Sequence, residues 1–211
     1  MSYTEPRLKA LALNATLKPS TSDTPSSTER LLSLISASFS KLNVQTEIVR
    51  LSEHNILPGV TSDEGEGDDW PAIRQKLLAA DILILGTPIW LGQLSSIAKR
   101  ALERMDAFLD EMDGEGRMVS YGRVATVAVV GNEDGAHNVS AQAFQALNDL
   151  GFTLPANAVA YWVGEAMGST NFSDLEEIPE AVTNAIDMMT RNAAHLAGLL
   201  QGNNYPGEEE T

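Results

Sequence analysis

The six-residue run Asp81-Ile82-Leu83-Ile84-Leu85-Gly86 constrains this chain more than any other segment. It is too short for a buried helix and shows no polar alternation, so it reads as a strand covered on both faces. Strands of that kind belong to parallel sheets packed between helices. Further apolar runs at residues 8–13, 44–51, 124–130 and 156–163 also read as strands, and between them the spacing turns helical. Leu31, Leu32, Ile35 and Phe39 share one face of a helix that starts at Thr28. Ile97, Ala101, Met105 and Phe108 share a face of another, over 95–110. A third begins near Trp70-Pro71, where the missing proline N–H costs little. A fourth covers 140–150 and ends at Gly151, and the last covers 178–200. Strict alternation predicts one α/β domain over residues 1–211: five parallel strands in the order 2-1-3-4-5 between two helix layers. Residues 1–7 and 203–211 read as flexible tails.

Composition narrows the partners. Acidic residues outnumber basic ones 29 to 14, for a formal net charge of −15. Such a surface repels nucleic acid and anionic lipid, so neither is expected as a partner. The chain has no cysteine, which excludes disulfides, thiolate nucleophiles and cysteine-held clusters. Met1-Ser2-Tyr3-Thr4-Glu5-Pro6-Arg7 lacks the basic-then-apolar layout of a signal peptide. No apolar run approaches the roughly 20 residues of a membrane span. The expectation is a cytoplasmic protein. The acidic run from Asp63 to Asp69 lacks the ligand spacing of a calcium loop and reads as solvated; no metal site is expected.

In parallel sheets of this order, ligands bind beyond the carboxyl ends of the strands, where the order reverses between strands one and three. Three loops therefore carry the candidate chemistry. After strand one, Asn14, Thr16, Lys18, Ser26, Ser27 and Thr28 lead into a helix. Hydroxyls beside unpaired helix N–H groups make an anion site, and Lys18 adds positive charge. No Gly-x-Gly-x-x-Gly and no Gly-Lys-Ser/Thr is present, so dinucleotide and P-loop sites are disfavoured. A terminal phosphomonoester such as that of FMN fits better. After strand three, Thr87-Pro88-Ile89-Trp90-Leu91-Gly92 reads as a stiff turn displaying a flat apolar surface for a ring system. Backbone amides at Leu91 and Gly92 are placed to meet the ring's polar atoms. After strand four, Gly131, Asn132 and Gly135 offer amides to the ring's polar edge. Glu133 and Asp134 are expected to point outward, and His137 reads as a polar neighbour at a helix start.

Taken together, 13–18 with Ser26-Ser27-Thr28, 87–92 and 131–137 resemble the NADPH-dependent FMN reductase family of flavodoxin-like flavoproteins. The resemblance spans residues 8–200, and its most specific part is the Pro-aromatic turn. Ser27 stands where that family usually has Asn, and the 14–28 loop is longer than the family's. The resemblance implies a flavodoxin-like three-layer sandwich, with FMN phosphate at Thr16, Ser26, Ser27 and Thr28. It places the ring at 88–92 and its pyrimidine end near 131–135. It implies NAD(P)H as co-substrate and ping-pong hydride transfer to a small-molecule flavin or quinone-type acceptor, in a homodimer or homotetramer. No protein side chain is then needed as a catalytic group, because the flavin carries the chemistry. The alternative is a flavodoxin-type one-electron carrier, against which the long phosphate loop speaks. A receiver domain of the same fold would need acidic groups where Asn14-Ala15 and Gly86-Thr87 stand.

Overall fold

The computed structural model describes residues 8–166 and 168–207; the expected tail at 1–7 and the end of the other, 208–211, lie outside them. Strands β1 (Lys9–Asn14), β2 (Gln45–Arg50), β3 (Ile82–Trp90), β5 (Val124–Gly131) and β6 (Val159–Val163) form a parallel sheet in the order β2-β1-β3-β5-β6. This is the flavodoxin-like arrangement that the alternation predicts. Side chains along each strand alternate between two cores, as the pleat requires. Leu83 and Leu85 join α2 (Trp70–Leu78), α3 (Ser96–Met105) and α4 (Ala136–Asp149) on one face. Ile82 and Ile84 join α1 (Ser27–Lys41) and α5 (Glu180–Gly202) on the other. Burial on both faces is why 82–85 tolerates no polar residue. No helix among the described residues is long and apolar enough to cross a membrane.

Several boundaries differ from the sequence reading. β3 does not stop at Gly86 but continues through Thr87-Pro88-Ile89-Trp90, and β4 (Gln93–Leu94) folds back antiparallel on it. The connecting residues, Leu91 (φ 52°) and Gly92 (φ 72°), both have positive φ, the signature of a two-residue hairpin turn. α3 ends at Met105 and tightens into a 3₁₀ turn over Asp106–Leu109, so the predicted helix to residue 110 is one turn too long. α4 starts at Ala136 rather than 140, because Gly135 (φ 128°) serves as its N-terminal boundary. His137 therefore sits on a helix. A 3₁₀ turn at Phe172–Asp174, capped reciprocally by Asn171 and Asp174, escaped the periodicity altogether. In the segment expected to be flexible from residue 203, Tyr205 lies 5.4 Å ring to ring from Tyr121 and its hydroxyl meets Thr153 at 3.1 Å.

The acidic loop before α2 is not merely solvated. Asp68 pairs with Arg104 at 2.7 Å, both side chains withdrawn from solvent. Arg104 also donates to the Thr61 and Leu57 carbonyls and lies over the Trp70 ring. Burial alone would raise the Asp68 carboxyl. The Arg104 contact and the N–H groups of Glu64, Trp70 and Leu57 outweigh it and hold the group well below the usual carboxylate range.

Candidate functional site

A crevice opens at the carboxyl ends of β1, β3 and β5, the place where the strand order reverses. The cavity measures about 120 Å³ and is open to solvent. One end is built by the loop after β1 and the start of α1, where Thr16, Lys18, Ser27 and Thr28 line the wall. Thr28 and Thr16 line it while nearly inaccessible to bulk water, at 1% and 3% exposure, and the Thr16 hydroxyl accepts the Lys18 N–H at 3.3 Å. The loop is held from below. Asn14 accepts the Thr16 N–H (3.1 Å) and donates to Glu29, which also pairs with Arg50 at 3.1 Å. Lys18 donates to the Pro25 carbonyl at 3.2 Å.

The middle and far end belong to β3 and to the loop after β5. Pro88, Ile89 and Trp90 form one stretch of the lining, and Val130, Gly131, Asn132 and Glu133, at the end of the adjacent strand, form the next; Pro88 pairs directly with Val130. Trp90 is 49% exposed, so it shapes the crevice mouth and does not fill the core. The hairpin that carries it is clamped by the following loop and helix. The Leu91 N–H donates to Glu133 Oε1 at 3.0 Å, and Asn138 donates to the Gly92 carbonyl at 2.8 Å. A Cβ on Gly135 would lie 2.9 Å from Gly92 Cα, so the close approach requires a glycine there.

A third contributor went unread in the sequence. The segment after β6 closes over the start of α1, bringing Asn171 and Phe172 to the crevice beside Trp162. Arg30 fixes it by donating to the Phe172 and Ser173 carbonyls at 2.9 and 2.8 Å, and Ser27 Oγ accepts the Ser173 N–H at 3.2 Å. Asn132 donates to Gly168 O at 3.0 Å. The rule that ligands sit beyond strand carboxyl ends holds for the fifth strand too, and applying it there would have found these residues. Leu17, an exposed apolar residue in an otherwise polar loop, also lines the crevice.

Six predicted residues do not line the crevice. Asn14 is buried beneath it, as described. Ser26 is the N-cap of α1, its hydroxyl accepting the Glu29 N–H at 3.2 Å. Thr87 is fully buried and accepts the Ser95 N–H at 3.1 Å, which ties β3 to the start of α3. Leu91, 90% exposed, and Gly92 form the hairpin tip, and Gly135 packs beneath it. These positions shape the loops; their own polar groups are spent on neighbours. Glu133, expected to face outward, lines the crevice, because its carboxylate is drawn to the Leu91 amide. His137 Nε2 lies 3.2 Å from the Tyr161 hydroxyl, away from the lining.

A hydroxyl-rich helix N-terminus and a slot between aromatic and apolar walls, set at the switch point of a 2-1-3-5-6 sheet, define the flavodoxin-like class of nucleotide-binding α/β proteins. Within that class the chain belongs to the NADPH-dependent FMN reductase family, whose model matches residues 8–167. It is 36% identical over 214 residues to 8-demethyl-8-aminoriboflavin-5′-phosphate synthase of Streptomyces davaonensis, covering 96% of this chain and 82% of that one. It is also 37% identical over 201 residues to a Mycobacterium bovis protein named divalent metal cation transporter MntH; there it covers 92% of this chain but only 29% of that one. Among solved structures, RosB with bound 8-demethyl-8-formylriboflavin-5′-phosphate superposes with a TM-score of 0.82 at 33% identity, covering 94% of this chain and 82% of that one.

Proposed function

We propose that the crevice binds FMN and that the chain is an NAD(P)H-dependent reductase of flavin or quinone-type acceptors. The observation that carries this reading is the polarity of the slot. Donors stand at one end (Thr16, Ser27, Thr28 and the first N–H groups of α1, with Lys18), and apolar walls stand along the rest. That is the donor set a phosphomonoester needs, joined to the surface a fused ring system needs. Bound FMN supplies the redox chemistry. The chain's own residues bind and orient: Thr16, Ser27 and Thr28 hold the phosphate, Pro88 to Trp90 support one side of the ring, and Gly131 and Asn132 meet its polar edge. The open mouth leaves room for NAD(P)H and an acceptor to use the same exposed ring surface in turn, which is what a ping-pong reductase requires.

A second reading treats FMN as the substrate, altered at ring position 8. It is favoured by the near-full-length likeness to a synthase named for an 8-amino riboflavin 5′-phosphate. One experiment separates the two: anaerobic addition of NADPH to the FMN-loaded protein, followed by mass analysis of the released flavin. Bleaching of the yellow absorbance with flavin of unchanged mass after reoxidation supports the reductase. No bleaching contradicts it, and a changed ring mass on incubation with amino donors supports the second reading.

A further inference from the structure

Among the described residues one acidic side chain lines the crevice, and its use is not accounted for by the binding scheme above. Glu133 lines the crevice from the loop after β5, across β3 from the β1 loop that carries Thr16, and next to the Trp90 hairpin. Its Oε1 accepts the Leu91 N–H at 3.0 Å; among the described residues its other oxygen has no donor and the carboxylate has no ion-pair partner. The Asn132 side-chain NH2 beside it donates to the Gly168 carbonyl. A carboxylate accepts hydrogen bonds and does not donate them. Leaving it half-buried beside apolar walls without a second partner costs stability. Its partner Leu91 adds to that cost, since a branched side chain at φ 52° is strained. Strain and an unspent acceptor converge at one point of the wall.

Resting on the reading that FMN occupies this crevice, we infer that Glu133 is the specificity residue for the far edge of the ring: it accepts the imide N–H of the flavin pyrimidine. The crevice then reads both ends of its ligand by opposite chemistry. Donors select the phosphate and a lone acceptor selects the only N–H that an oxidised flavin ring carries. A planar phosphate ester lacking a donor at that edge binds poorly, even when its ring fits the slot.

The test is a comparison of FMN with 3-methyl-FMN, whose imide nitrogen has no hydrogen, by calorimetric titration of three proteins. The wild type is expected to prefer FMN by about 10- to 150-fold, the range for a hydrogen bond to a charged group. Glu133→Ala brings the ratio to within about threefold. Loosening of the hairpin in that variant weakens both ligands alike, so the ratio isolates the edge contact. Glu133→Gln keeps the side-chain size and guards against misfolding of the alanine variant; its neutral acceptor lowers the ratio at least about threefold. A wild-type ratio near one, or a ratio unchanged in both variants, overturns the inference while leaving FMN binding intact. Failure of the wild type to bind FMN at all overturns the crevice reading itself.

Discussion

In the loop before α2, Asp68 is walled in: Arg104 lies 2.7 Å away and three backbone N–H groups complete its shell. In the loop after β5, Glu133 touches one amide and otherwise faces the crevice. Both are acidic residues in loops at the rim of the same sheet, and nothing in their local sequence separates them by role. The surroundings do. A carboxylate whose acceptor capacity is filled by its own chain holds the fold; one left with capacity beside an open slot is available to a ligand. In a chain carrying 29 acidic residues, charge count says little and partner count says much.

The comparison breaks most sharply by mutation at the buried pair. Arg104→Met leaves Asp68 desolvated and uncompensated, and is expected to cost about 3–5 kcal/mol. For a domain of this size that lowers Tm by about 6–20 °C in thermal unfolding. FMN affinity of the molecules still folded should not change. The pair also sets an acid limit. Because the folded Asp68 carboxyl lies below its unfolded value of about 3.9, its contribution is full above that pH and is lost as pH falls further. Asp68→Asn should flatten that part of the wild-type stability profile.

Next in size is the phosphate end. Thr28→Ala is expected to weaken FMN binding by about 1.5–3 kcal/mol, and to leave riboflavin binding unchanged, in parallel titrations. Equal losses for both flavins would move the phosphate elsewhere. The smallest effect is the stability cost of Glu133→Ala. It removes one hydrogen bond to an exposed turn and should cost no more than about 0.5–1.5 kcal/mol by chemical denaturation. A loss as large as that of Arg104→Met would erase the distinction between the two loops.

The sheet was legible because burial on both faces demands apolar residues: 82–85 is uninterrupted, and 124–130 is broken only by Thr126, which is itself buried. The hairpin was not: Thr87 and Pro88 look like the end of a strand, yet they continue it, and a two-residue β4 is too short for any periodicity. α4 hid its first turn because Gly135-Ala136-His137-Asn138 reads as a loop until the left-handed glycine is seen. At the site, residue type located the loops but not which hydroxyl faces the slot. Thr16 and Thr28 line it, while Ser26 and Thr87 lie outside the lining with their hydroxyls on the Glu29 and Ser95 N–H groups. Asn171 and Phe172 arrive from a segment far along the chain, held by Arg30, a contact that no local pattern encodes.

On the proposed reading, one crevice holds both the phosphate and the ring of FMN. Equilibrium dialysis of the wild-type protein at micromolar concentration against FMN, with riboflavin and inorganic phosphate in separate cells, tests it most directly. The expected result is a yellow protein retaining close to one FMN per chain, with weaker retention of riboflavin. Absence of FMN retention at that concentration, or riboflavin held as tightly as FMN, would contradict it.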